Sequence, residues 1–589
     1  MQKNSIQTEW DLTQFYKSDT DPQIEQDMRT IEKLCAQFEK KYRGKQFNKN
    51  EKTLLQALSD FTVLHEKVSG AKPLVYFHYR QALNSSDANV AAAIAKLGER
   101  MTKAGNKLIF FDVTLAKTPT PLQKKFLKSA KLSFFKHQLE NVFESGKYTL
   151  TEPEERILSL KSQTDGMWVD GVDRALNKRV VTFKDEQIPI NAAIPRMALL
   201  QEKPDRDALW SGIHNELKTL HDFCESELNA FYTSKKISDE LRGYKKPYSA
   251  TLLSHEMDEK TVFGLRDAVN EHMGIARRFF ALKKKMLGLS EMRMHDINAP
   301  LKAGQKKMTF PEAHASVRAA FEAFDSDYLR IYDRAFAQGH VDVFPKVGKG
   351  GGAFHSKTIG NPGVILLNQV DDTRSAFTIA HEMGHLVHSS LAEESQKPLY
   401  QDYSTATAEV ASRFAERVYF EHLLPTLNKD EQIALRTKVL YEEMNNIFHG
   451  ISDFNIEHRF YTEVYARGFV PFDEMCGMFV EENKKCFGEA VTMLPEDGYR
   501  VIYISHFRLR YYLYCYAFGS LVARALHARV KKDPAFITSV KAFMKAGSSK
   551  RPADIFKSVG IDIKKPNFFA EGLKAIEEDV AALEKLVSN

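Results

Sequence analysis

The segment Asp371-Asp372-Thr373-Arg374-Ser375-Ala376-Phe377-Thr378-Ile379-Ala380-His381-Glu382-Met383-Gly384-His385-Leu386-Val387-His388 carries more information than any other part of the chain. Asp371 or Asp372 is a natural N-cap. At about 100° per residue, Ala376, Ala380, Met383, Val387 and Leu391 fall on one core-facing stripe of a helix. His381 and His385 lie roughly 140° from that stripe and one turn apart. Two neighbouring imidazoles turned away from a core can hold one divalent cation. Glu382 projects from an adjacent side, able to reach a water on that metal without ligating it.

With 19 histidines in 589 residues, a His-Glu-x-x-His pattern arises by chance in roughly one such chain in twenty or thirty. His255-Glu256-Met257-Asp258-Glu259 is a near miss that lacks the second histidine. A third ligand in a sensible place raises the odds. Glu409 lies 24 residues after His385, and Glu409, Ser412 and Glu416 share one face of a helix that Pro425 later terminates. The polar span Glu393 to Ser404 can turn this helix antiparallel to the first. His381, His385 and Glu409 then form a ligand set that leaves the fourth position of one zinc ion to water, as catalysis requires. A structural zinc site would be closed and richer in cysteine. The long three-histidine motif needs glycine at 388 and histidine at 391, where the chain has His388 and Leu391. His388 therefore reads as a supporting or cleft-edge residue. A Glu-x-x-x-Asp second helix would need aspartate at 413, which is Arg413, so Ser412 is the better clue.

Outward from this centre the texture is helical, with apolar residues at three- and four-residue spacing. Three units are expected, over 1–115, 116–202 and 203–589. Thr151-Glu152-Pro153-Glu154 reads as a capping-box start, and Arg179 to Phe183 as the edge of a hairpin. Gly348 to Ala353 leads into two strand-like pieces, Phe354 to Ile359 and Val364 to Leu367, with Gly360-Asn361-Pro362-Gly363 as the turn. No Gly-Lys-Ser/Thr follows the glycines, so a phosphate loop is excluded.

Lys plus Arg number 83 and Asp plus Glu 77, a formal charge of +6. Over so long a chain this implies neither nucleic acid nor a membrane surface as partner. No apolar run is long enough to span a bilayer, and Met1 to Trp10 has no signal core. Five scattered cysteines give no disulfide framework. A cytoplasmic protein with no obligate protein partner is expected.

The stretch His381 to Glu416, with Glu409-Val410-Ala411-Ser412 following His-Glu-Met-Gly-His, resembles oligoendopeptidase F among the thimet-oligopeptidase-like zinc metallopeptidases. The likeness runs nearly end to end. Trp10-Asp11-Leu12 resembles the family's opening, Tyr148 to Glu152 its N-terminal module, Gly351-Gly352-Ala353-Phe354 its substrate-strand loop, and Gly547-Ser548-Ser549 with Pro552 its closing turn. The resemblance implies a mainly α fold: a zincin-like catalytic domain with long helices and a small β-sheet, in two lobes around a deep cleft. It implies short unstructured peptides as substrates, cut internally. Glu382 would be the general base, with Glu416, Ser412 and His388 behind the ligands. Gly351, Gly352, Ala353, Phe354 and His355 would present a strand edge to the peptide backbone.

Ser505 to Tyr516 holds a further match. Five aromatics in ten helical residues more often pack a core, yet phenols and an imidazole are also the donors an oxyanion needs. Similar enzymes place a histidine and tyrosines from this segment over the scissile carbonyl. His506 and Tyr514 are the preferred pair, with Tyr511 or Tyr512 as competitors and Tyr511 and Tyr514 on one helix face. Arg508 and Arg510 depart from the family's residues here, so local substrate contacts differ. The alternatives are carboxypeptidase or dipeptidyl carboxypeptidase activity on the same site, or a non-catalytic zinc-containing binding protein.

Overall fold

A computed structural model describes residues 6–301, 307–565 and 567–588, with the side chains of 162–165 left out. Half of the opening segment, residues 1–5, lies outside the described residues. The fold is mainly helical and two-lobed. One apolar core gathers side chains from Trp10 to Leu139, and a second gathers those from Leu176 to Leu583. The first core thus runs beyond residue 115.

A three-stranded sheet joins them. Its order is Val341–Asp342, Val364–Leu366, Phe354–Ser356, with the central strand parallel to the first and antiparallel to the last. Side chains alternate faces along a strand. Val364 and Leu366 enter the first core while Ile365 and Leu367 enter the second, so one strand is buried on both sides. Trp10 pins the chain's start to it, its indole N–H donating to the Ile365 carbonyl at 2.8 Å. The expected turn at 360–363 joins the two expected strands, each shorter than expected; the short strand Val341–Asp342 was not foreseen. The hairpin pairs Val180–Phe183 with Glu186–Pro189, and Thr151 and Glu154 close the capping box at 2.9 Å.

Three helices build the centre of the larger lobe. The histidine helix spans Thr373–Ser395, capped by Asp372, whose Oδ1 accepts the Ser375 N–H at 2.8 Å. Ala376, Ala380, Met383, Val387 and Leu391 are all buried, as the wheel predicts. The carboxylate helix spans Thr405–Leu423 and the tyrosine helix Tyr514–Lys532. Each outer helix meets the carboxylate helix through a glycine. A Cβ on Gly384 would sit 2.7 Å from the Ala411 carbonyl oxygen and 2.7 Å from Ser412 Cα. A Cβ on Gly519 would sit 2.5 Å from Glu409 Cβ.

Glycine to alanine inside a helix ordinarily stabilises by roughly 1 kcal/mol. At Gly384 and Gly519 the sign should reverse, each alanine costing about 1–3 kcal/mol by overpacking. Urea unfolding of both variants checks this; a gain in stability at either would contradict the close approach.

Candidate metal and peptide site

His381, His385 and Glu409 come together as expected, one donor atom from each lying within 4.8 Å of the others. His381 Nε2 is 3.6 Å from Glu409 Oε2. Ser412 Oγ donates to Glu409 Oε2 at 3.1 Å, which fixes the carboxylate's rotation. His381 Nδ1 donates to the Glu416 carboxylate, leaving Nε2 free to face Glu409. Arg413 Nη1 in turn donates to both Glu416 oxygens, at 3.1 and 3.2 Å. The sequence marked Arg413 only as the absence of an aspartate; here it neutralises the carboxylate that orients His381.

Burial alone would lower the His381 imidazole, but Glu416 more than offsets it and holds the ring at about 8. Burial and the charge on His381 hold His385 down at about 4, in the neutral form a metal needs. Burial works to raise Glu409, yet His381, His385 and Arg413 keep it below the usual carboxylate range. Glu382 is different. It is 5% exposed, and burial, reinforced by Glu409 and Glu416, pushes it up to about 7. A carboxylate poised near neutrality can both take and return a proton.

The strand Phe354–Ser356 borders this cluster. The His355 backbone N–H hydrogen-bonds Glu382, its ring stacks 6.2 Å from His385, and its Nε2 meets Ser389 Oγ at 3.1 Å. Gly351 and Gly352 are exposed and Ala353 half-buried. Asn368 Nδ2 donates to the Gly350 and Gly352 carbonyls, each at 2.8 Å, and so holds the loop in place. Phe354 is an exception, turned inward against Trp10 at 6.2 Å. His388 is buried and stacks on Tyr403 at 3.8 Å and 7°. Burial, the Asp402 charge and then the charges on Glu409 and Glu382 raise the Tyr403 phenol. Tyr403 is a neighbour of the site that sequence reading passed over.

The 505–516 segment corrects the expected register. It is not one helix. A 3₁₀ turn, Ser505–Arg508, is followed by two left-handed residues, Arg510 at φ 52° and Tyr511 at φ 67°, before the tyrosine helix begins. Tyr511 therefore does not share a helix face with Tyr514, and the hydroxyls of both are taken by other histidines. The Tyr511 ring stacks 4.9 Å from Tyr461, its hydroxyl meets His458 Nδ1 at 3.0 Å, and its backbone N–H donates to Glu457 Oε1 at 2.6 Å. Tyr514 is fully buried with its hydroxyl on His255 Nδ1 at 2.8 Å. Arg508 is committed to buried Glu227 at 2.7 Å.

The clamp on the left-handed pair presents Tyr512 and Tyr516 instead. Their rings are 5.3 Å apart, and His506 Nε2 lies 3.1 Å from the Tyr516 hydroxyl. Burial raises both phenols, and the Glu409 charge adds to it in each. Tyr516 stands one turn before Gly519, on the face that rests on Glu409. It was not among the expected residues, although its helical spacing to Gly519 carried a signal.

The model for peptidase family M3 matches residues 197–575, and that for oligopeptidase F matches 115–167. The chain belongs to peptidase family M3. It is 26% identical over 591 aligned positions to oligopeptidase PepF of Bacillus subtilis, covering 98% of this chain and 87% of that one. The fold is similar to a crystal structure from Chlamydophila abortus, with TM-score 0.83, 20% identity and coverage of 99% and 98%. It is also similar to oligoendopeptidase-F from Enterococcus faecium, with TM-score 0.73, 18% identity and coverage of 96% and 99%. No helix among the described residues is long and apolar enough to cross a membrane.

Within this M3 chain, Glu457 offers a pH test of the clamp. Burial raises its carboxyl from the ordinary 4.5 to about 8, against the Tyr511 N–H and Lys235 and with Asp453 adding to the rise. Between those two pH values the folded chain keeps a proton that the unfolded chain loses, so stability falls as pH rises through the window. Glu457→Gln mimics the neutral acid and should lack this fall. Wild-type melting temperature minus that of the variant should decrease from pH 5 to pH 8. A constant difference would contradict the assignment.

Proposed function

We propose that this M3 metallopeptidase is a zinc-dependent oligoendopeptidase cutting internal bonds of short, unstructured peptides. The observation that carries the reading is the donor cluster of His381, His385 and Glu409 beside a nearly buried Glu382 raised to about 7. Two imidazoles and one carboxylate, already oriented by Glu416 and Ser412, fit one zinc ion. When bound, zinc supplies a Lewis acid for the carbonyl and a water of lowered pKa.

The chain's own residues do the rest. The exposed backbone around Gly351 and Gly352 pairs with the peptide and lays it beside Glu382. Glu382 takes the proton of the attacking water and returns it to the leaving amine. Tyr512 and Tyr516, with His506 on the Tyr516 hydroxyl, donate hydrogen bonds to the oxyanion as it forms. Tyr511 and Tyr514 serve the scaffold. His388 and Tyr403 wall the site, and the N-terminal helices restrict entry to flexible peptides. The cytoplasm, where such peptides arise, is the compartment this reading implies.

Glu382→Gln should keep fold and metal while losing at least about 10²–10⁴ of the turnover of a quenched peptide. Normal turnover in that variant would contradict the base. Glu409→Ala should lose zinc by elemental analysis, and full occupancy would contradict the third ligand. Tyr516→Phe should lower kcat more than it raises KM, and Tyr514→Phe should affect stability alone; the reverse pattern would restore the original pair. Sequencing products from peptides of graded length separates internal from C-terminal cleavage.

A further inference from the structure

A cavity of about 450 Å³ opens off the Tyr516 and His506 side of the site. One wall is apolar, with Met197, Met294 and Leu513. The other is polar and unusually short of partners. Arg500 Nε and Nη2 and His295 Nδ1 are buried without a hydrogen bond, as are His449 Nε2 and Asp453 Oδ1, which face each other at 3.8 Å, and all four residues line this one cavity. Buried donors and acceptors are rarely left unpaired, and a cluster of them marks a place where something else completes the bonding. The wall also contains a π-helical turn, Met444–His449, which sets Asn445, Asn446 and His449 along it. Such turns recur at functional sites.

Arg500 decides the chemistry. It is 7% exposed, its guanidinium stacks 3.9 Å from the Trp210 ring, and Nη1 donates to the Tyr503 hydroxyl at 2.7 Å. Among the described residues the carboxylate within 4 Å of it is that of Asp497, whose Oδ1 is 3.6 Å from Nε and whose Oδ2 accepts the Leu494 N–H at 2.8 Å. The guanidinium is thus planar, held by stacking, and still has donors to give. Burial raises the Asp453 carboxyl towards its neutral form, so it offers no strong rival anion. A planar, buried guanidinium with free donors is matched by a carboxylate.

We propose that this cavity is a carboxylate-accepting subsite of the peptidase, anchored by Arg500 and reached past Tyr516 and His506. The inference rests on the peptidase reading above. The carboxylate comes either from the peptide's C-terminus or from an acidic side chain near the scissile bond. The first source would make the subsite a ruler measuring from the peptide end; the second would make it a sequence filter. Arg500 is in either case a specificity residue, outside the bond-breaking chemistry.

The test uses the zinc-loaded full chain and one fluorogenic peptide in several forms: free acid, C-terminal amide, and Glu→Gln at each acidic position. Neutralising the right carboxylate should lower wild-type kcat/KM by about 10- to 100-fold, the worth of a charged hydrogen bond. The arm that responds names the source. In Arg500→Gln the ratio of charged to neutral peptide should fall to near unity, while Arg500→Lys, which keeps the charge, should retain part of it. Melting curves show which variants are folded, and if Arg500→Gln is not, the wild-type series and Arg500→Lys decide. A wild type indifferent to every neutralisation, or a preference that survives in Arg500→Gln, overturns the subsite while leaving the peptidase intact. A wild type that cleaves none of the peptides overturns the peptidase reading and the subsite with it.

Discussion

The carboxylate helix is wedged between two other helices, and both of them yield to it at a glycine. Gly384 lets the histidine helix settle against Ala411 and Ser412, and Gly519 lets the tyrosine helix settle against Glu409. Because the contacts are made by backbone and Cβ atoms, the spacing of the three axes is set by the chain itself and not by adjustable side chains. Everything chemical inherits that spacing. His381 and His385 come from one helix, Glu409, Ser412 and Glu416 from the second, and Tyr516 from the third. A site assembled from helices held this closely is more sharply defined than one carried on loops.

Electrostatics follows from the same crowding. Three carboxylates, buried Glu382 and Glu409 and half-buried Glu416, lie near two imidazoles and Arg413, yet they end in different states. Glu416 and Glu409 have positive or hydrogen-bonding partners and stay ionised. Glu382 has mainly burial and two like charges, so its proton is loosely held near neutral pH. The strand Phe354–Ser356 completes the arrangement by giving Glu382 a backbone N–H, and its partner strand is buried in the two cores at once. The strand Phe354–Ser356 and Glu382 are therefore tied to the junction of the lobes.

The meeting of His381, His385 and Glu409 was legible because helical periodicity is a local rule: the wheel of Ala376 to Leu391 and the spacing to Glu409 needed no tertiary knowledge. The glycine-rich loop and its hairpin were legible through turn chemistry. The segment Ser505 to Tyr516 was not. Its aromatic spacing fits a helix, but Glu457 captures the Tyr511 N–H and Thr251 the Arg510 carbonyl, holding two non-glycine residues left-handed against an intrinsic cost of about 1–3 kcal/mol each. Both captors are distant in sequence, so the register of the tyrosines was a tertiary decision. Arg500 escaped notice for the same reason, since its isolation becomes visible only once Trp210, Asp497 and the π-turn surround it.

The central claim is that His381, His385 and Glu409, and no other side chains, hold one metal ion with Glu382 beside it. Anomalous diffraction from zinc-loaded crystals, collected at the zinc edge, tests it most directly. The account predicts a single strong peak per chain within bonding reach of these three residues and not of Glu382 or His388. A peak bound by Glu382 or His388, or located among Asp207, His295 and Asp296, would contradict it.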